Sequence, residues 1–292
     1  MSGTLVERLA DSAVANIIAR DCRVEKGVEY ARPEGTALRA TLYLPVEDTG
    51  VPRPGIVQIH GGGWVMGSRF QQMWYCRKLA RNGYAVMAID YRMLPSFGFP
   101  ECIEDCKAAV RWMRLNAARQ LINPDRIAAF GASAGGQLAC LLATTSTKDG
   151  FDGHENPGPS SAVKAAISLY GAVDLTKYRD LPQGTRFGRH AKPFFRRFAG
   201  KACATRDMDP FEVASPISYA SQSTCPVMLV HGEDDTIVHY AQSEAFHTRL
   251  RALGVPTELE ALPKRGHGFD YFHIIERERV FAKMLSFLKQ HV

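Results

Sequence analysis

From Gly55 onward the apolar positions of this chain fall into short, nearly continuous runs. Ile56 to Ile59, Tyr84 to Ile89, Arg126 to Phe130, Ala165 to Leu169 and Pro226 to Val230 are each too short for a helix, and helical patterns such as Ile103, Cys106, Val110 and Met113 lie between them. Strands buried on both faces and separated by helices predict a parallel sheet with right-handed crossovers. Upstream, Leu38, Ala40, Leu42 and Leu44 alternate with Arg39, Thr41 and Tyr43. That period of two predicts an antiparallel hairpin with Val24 to Ala31, turned at Arg32-Pro33-Glu34-Gly35. Near the end, Phe246, Leu250 and Leu253 are closed by Gly254, Glu258 to Leu262 reads as a strand, and Val280, Phe281, Met284, Leu285 and Leu288 mark a last amphipathic helix. The expected architecture is one α/β domain over residues 1–292, with a mostly parallel central sheet of about eight strands, an antiparallel N-terminal edge and helices on both faces.

Two stretches depart from the alternation. Leu5, Leu9, Val14, Ile17 and Ile18 are interrupted by Glu7, Arg8 and Asp11, which predicts an amphipathic helix over about 4–20 rather than the continuous apolar core of a secretory signal. Residues 176–210 lack a buried strand and set Arg186, Arg189, His190, Lys192, Arg196, Arg197 and Lys201 among Phe187, Phe194, Phe195 and Phe198. An insertion of that length after a strand is expected as a small lid, or as a basic helix packed down by its phenylalanines.

Composition narrows the classes. At 292 residues, with 46% hydrophobic and 23% charged positions, the chain has material for a large core. No apolar run reaches the length of a membrane span, so no stable membrane insertion is expected. The net charge of +6 accompanies no nucleic-acid module, so no nucleic-acid partner is expected either. The seven cysteines, Cys22, Cys76, Cys102, Cys106, Cys140, Cys203 and Cys225, are odd in number and lack metal-type spacing. They read as free thiols of a reducing, cytoplasmic compartment. A homodimer is left open.

The candidate chemistry centres on Gly131-Ala132-Ser133-Ala134-Gly135-Gly136, a G-x-S-x-G between a buried strand and a helix whose apolar stripe runs through Leu138, Leu141 and Leu142. Such a turn lifts the serine hydroxyl above the sheet and sets a helix N-terminus beneath it. A serine hydroxyl needs a base, an orienter for that base and donors for an oxyanion. His60-Gly61-Gly62-Gly63-Trp64 follows one strand end and offers backbone N–H donors. His231-Gly232-Glu233-Asp234-Asp235 follows another and offers an acid, and Gly266-His267-Gly268-Phe269 follows the last and offers a base. All four segments fall at the carboxyl ends of predicted strands, where open α/β sheets carry their sites.

Together with Asp90-Tyr91-Arg92, these segments resemble, in order and spacing, the α/β-hydrolases of the hormone-sensitive-lipase-like and BD-FAE esterase group over about residues 36 to 290. The resemblance implies the α/β-hydrolase fold, Ser133 as nucleophile, His267 as base, Asp235 as acid, and Gly62, Gly63 and the N–H of Ala134 as oxyanion hole. It implies that His60 holds the glycine loop, and it implies no metal and no organic cofactor. Ser96 and Ala132 stand where hormone-sensitive-lipase relatives carry acidic residues, which leans toward the BD-FAE side. His239 replaces a common proline after Val238 and reads as a surface residue. His273 reads as a helix start.

The expected function is hydrolysis of a small-molecule ester, with short acyl or aryl groups, acetyl or feruloyl esters of carbohydrates among them. Trp64, Tyr91 and Phe97 are expected to wall the pocket. An amidase, formamidase or peptidase uses the same three residues. A non-catalytic binding protein on this fold is the alternative of a different kind.

Overall fold

A computed structural model describes residues 22–47, 50–179, 188–203 and 208–292. The helix expected over about 4–20 lies outside the described residues, as do parts of the 176–210 insertion. In chain order the principal elements are β1 Arg23–Ala31, β2 Leu38–Leu44, β3 Arg53–Ile59, α1 Met73–Arg81, β4 Ala85–Ile89, α2 Glu101–Leu115, β5 Ile122–Ala132, α3 Ala134–Thr144, β6 Ala166–Leu169, α4 Gly188–Cys203, β7 Val227–Gly232, α5 Ala241–Ala252, β8 Thr257–Leu262 and α6 Ile274–His291. The eight strands form one sheet in the order β1-β2-β4-β3-β5-β6-β7-β8. β1, β2 and β4 pair antiparallel, and every pair from β4 to β8 is parallel.

Burial explains the apolar runs. Along β3, Val57 and Ile59 join one core with Met87, Ile89 and Ala129, closed by α2, α3 and α5. Ile56 joins the opposite core with Val86, Ala88, Ala128 and Phe130, closed by α1 and α6. Each of these positions is therefore buried whichever way it points, and the run loses its alternation. Several boundaries differ from the expected ones, and β3 starts at Arg53 rather than Ile56. β5 starts at Ile122 rather than Arg126, because Arg53 pairs with Ile122 across a register shift. α6 starts one turn and more before Val280, with His273 at its N-cap.

In the described part of the insertion, α4 turns Phe195 and Phe198 into the core at 3% and 1% exposure while Arg196 and Arg197 face solvent. Its main chain is tied to the body by Phe99 N–H donating to Phe198 O at 2.6 Å, and Arg197 reaches Pro95 O at 3.2 Å. Among the described residues no helix is long and apolar enough to cross a membrane.

Candidate active site

β3, β5, β7 and β8 run in one direction, so their carboxyl ends bring the glycine turn after Ile59, Ser133, Asp235 and His267 to one edge of the sheet. Ser133 follows β5 directly and has φ 55° and ψ −120°, outside the ordinary regions for a side-chain-bearing residue. Strain of this kind costs on the order of 1–3 kcal/mol and persists only where the surroundings impose it. Here the surroundings are the strand on one side, where Ser133 N–H donates to Leu169 O at 2.8 Å, and α3 on the other. The turn is tight enough that a Cβ on Gly135 would lie 2.1 Å from Ile59 O and 2.5 Å from His60 O. Gly135→Ala must therefore push α3 off the β3 end, and we expect a loss of about 3 kcal/mol or more in urea unfolding. An unchanged unfolding midpoint would contradict this reading of the elbow.

Ser133 Oγ lies 2.9 Å from His267 Nε2, and His267 Nδ1 lies 2.7 Å from Asp235 Oδ2. The carboxylate is an acceptor only, which places the His267 proton on Nδ1 and leaves Nε2 to accept from the serine hydroxyl. Asp235 Oδ1 in turn accepts from Ile237 N–H and Val238 N–H, both at 2.9 Å. Burial opposes charge on Asp235, but hydrogen bonds from His231, His267 and the Val238 N–H outweigh it and hold the carboxyl well below the usual carboxylate range. Neighbouring Asp234 is exposed, as is His239.

The glycine turn abuts the elbow, since a Cβ on Gly61 would lie 3.3 Å from Ser133 Cβ. Gly62, at φ 115°, has Met66 O where a side chain would stand, 1.9 Å from its would-be Cβ, and Gly62 O accepts from Val65 and Met66 N–H. Ala134 is the first residue of α3, so its N–H has no acceptor within the helix. His60 is fully buried. Desolvation lowers its pKa and keeps the ring neutral, and its Nδ1–H donates to Gly61 O at 2.7 Å.

The expected wall residues lie in different surroundings. Tyr91 is 3% exposed, stacks on the His60 ring at 4.4 Å and donates its hydroxyl to His60 O, so it braces the glycine turn from below. Phe97 is half-buried with the Arg92 guanidinium 5.4 Å from its ring. Trp64, 6% exposed, packs on Phe194, Phe195 and Phe198 of α4 at centroid distances of 6.3, 5.9 and 4.7 Å. Its Nε1–H donates to Gln137 on α3, and Gln137 reaches Ala214 O.

Sequence reasoning missed His231, Gln137 and the pair Tyr170 and Asp270. Tyr170 sits edge-on to His267 at 4.7 Å, and its hydroxyl donates to the buried Asp270 at 2.6 Å. For His231 the motif His231-Gly232-Glu233-Asp234-Asp235 is visible, but nothing in it marks the bond from this strand residue to Asp235. For Tyr170, following the β6 end, there is no signal.

These features are those of the α/β-hydrolase fold, with its serine elbow after the fifth strand and a histidine loop after the eighth. The BD-FAE family model matches residues 41–250. Esterase LipC of Mycobacterium tuberculosis is 32% identical over 221 residues, which cover 75% of this chain and 54% of the relative. Esterase LipQ of the same organism is 33% identical over 239 residues, covering 80% and 54%. The chain thus spans about half the length of these curated relatives. A solved structure of a thermophilic esterase from Thermogutta terrifontis, Est2 with butyrate bound, is 25% identical, covers 92% of this chain and 94% of that one, and superposes with a TM-score of 0.77. The chain belongs to the BD-FAE family.

Proposed function

We propose that this chain is a serine carboxylesterase that hydrolyses short-chain acyl or aryl esters through an acyl-enzyme. The observation that carries the reading is the row Ser133 to His267 to Asp235, at 2.9 and 2.7 Å, against the glycine turn. In this reading Ser133 Oγ attacks the ester carbonyl while His267 Nε2 takes its proton, and Asp235 fixes the imidazole tautomer and stabilises the imidazolium. The tetrahedral oxyanion is held by the N–H groups of Gly62, Gly63 and Ala134, each worth about 3 kcal/mol in the transition state. His267 then protonates the leaving alcohol, and water, activated by the same nitrogen, releases the acid from Ser133.

Two things support the short acyl group. Trp64 and the α4 phenylalanines fill the space beside the glycine turn, and the Thermogutta neighbour was solved with butyrate. Acetylated and feruloylated saccharides are the natural substrates to set beside simple esters.

The test is a series of p-nitrophenyl esters from acetate to palmitate, with a fluorophosphonate probe mapped by peptide mass spectrometry. We expect fast turnover of acetate and butyrate, at least about 10-fold slower turnover of palmitate, and a single adduct on Ser133. Absence of turnover together with no adduct, or an adduct elsewhere, would sink the proposal.

A further inference from the structure

The hydrogen-bond row does not stop at Asp235. His231, on β7, is fully buried and places Nε2 3.2 Å from Asp235 Oδ2 and 2.8 Å from Val238 O. Both neighbours are acceptors, so Nε2 carries the proton, and Nδ1, 2.7 Å from Ser243 Oγ, accepts from that hydroxyl. The chain is therefore Ser133, His267, Asp235, His231, Ser243, two serine–histidine pairs donating into the same carboxylate oxygen from opposite sides. The arms are not equivalent. The His267 side chain is 17% exposed, whereas Ser243, at 1% exposure on α5, is out of reach of any substrate.

The geometry points to His231 as a positioning residue for ester hydrolysis, with Ser243 locking its tautomer, so that Asp235 presents Oδ2 to His267 as a fixed, charged acceptor. This inference rests on the serine-esterase reading above. A buried carboxylate whose Oδ1 is held by two backbone N–H groups and whose Oδ2 is held by His231 has no freedom to turn away from His267. With His267 in place every lone-pair site of the carboxylate is occupied, and His231 still holds Oδ2 when the His267 bond lengthens during proton transfer. Ser243 matters because a His231 ring with its proton on Nδ1 would aim a bare Nε2 at two acceptors, which is repulsive.

Three variants test it. His231→Leu removes the donor at similar volume, His231→Gln returns an N–H near the Nε2 position, and Ser243→Ala frees the tautomer. On p-nitrophenyl acetate we expect His231→Leu to lower kcat by about 10- to 100-fold with KM changed less than about 2-fold, His231→Gln to recover to within about 3-fold of wild type, and Ser243→Ala to fall about 3- to 10-fold. The acid limb of the pH profile should move to higher pH in the Leu and Ala variants, since a carboxylate that loses a donor becomes a stronger acceptor toward its remaining partner on the His267 side. The other groups facing Asp235, namely His267 from the β8 loop and Tyr178 from the 176–179 helix, are unchanged in all three. A purely structural role would lower the melting temperature without moving the acid limb.

The proposal is overturned if kcat and the acid limb of His231→Leu match wild type, or if His231→Gln is no better than His231→Leu. If the Leu variant does not fold, Ser243→Ala decides, and wild-type kcat and acid limb in that variant overturn it. Wild-type turnover abolished by Ser133→Ala establishes the underlying reading separately. Without that turnover the esterase reading fails, whatever the His231 series shows.

Discussion

Ser133→Ala is expected to lower kcat for p-nitrophenyl acetate by about 10⁶-fold while leaving the unfolding midpoint within about 1 °C of wild type or above it. Under the proposed reading the size follows from the loss of the acyl-enzyme route as a whole. His267 and Asp235 then have no nucleophile to activate, and the Gly62, Gly63 and Ala134 donors retain only the capacity to stabilise attack by water. The fold should not suffer, because Ser133 N–H, not the hydroxyl, makes the bond to Leu169 O, and alanine removes no packing. Residual turnover above about 1% of wild type, in protein free of contaminating esterase, would show that another group carries the chemistry.

Asp235→Asn is expected to cost about 10⁴-fold in kcat, the scale known for a triad whose histidine loses its tautomer. In this chain the change has a second consequence. Asp235 Oδ2 accepts from both His267 Nδ1 and His231 Nε2, and an amide group placed there either turns its NH₂ toward two donors or withdraws its oxygen from Oδ1, where Ile237 and Val238 N–H wait. One side is left unpaired whichever way the amide flips, so stability should fall by about 1–3 kcal/mol as well. The acid dependence should change too. A carboxyl held below its ordinary range in the folded protein contributes stability that is present above its unfolded pKa and lost as pH falls through the folded one. The Asn variant should therefore unfold with a shallower pH dependence below pH 4, and equal slopes would contradict the charged Asp235.

The sheet was legible because double-sided burial removes alternation from the strands, and Ile56 to Ile59 and Tyr84 to Ile89 read correctly for that reason. β5 reads short because Asn123-Pro124-Asp125 has the composition of a turn, and its pairing with β3 passes from Ile122 to Ile127 across that stretch. In the site, motif spacing selects Ser133, His267 and Asp235, and His267 lies within hydrogen-bond reach of each of the other two. What spacing does not carry is the partnership of residues far apart in the chain. Tyr91 looks like a wall residue from its neighbours, but its ring is stacked on His60, 31 positions upstream. His231 stands in a legible motif, yet only the return of α5 past β7 brings Ser243 to it and gives the histidine a fixed orientation.

Trp64 has a consequence for how substrate range and rate are related under the proposed reading. One side chain is at once the next residue after the oxyanion turn, a hydrogen-bond donor to the helix that begins at the nucleophile, and the surface on which Phe194 and Phe198 rest. The part that measures the acyl group and the part that stabilises its negative charge are thus a single packed body. Descendants of this chain that gain room for larger acyl groups by trimming these aromatics would give up turnover on small ones. Widening of the substrate range without that loss has to come from residues outside this aromatic cluster.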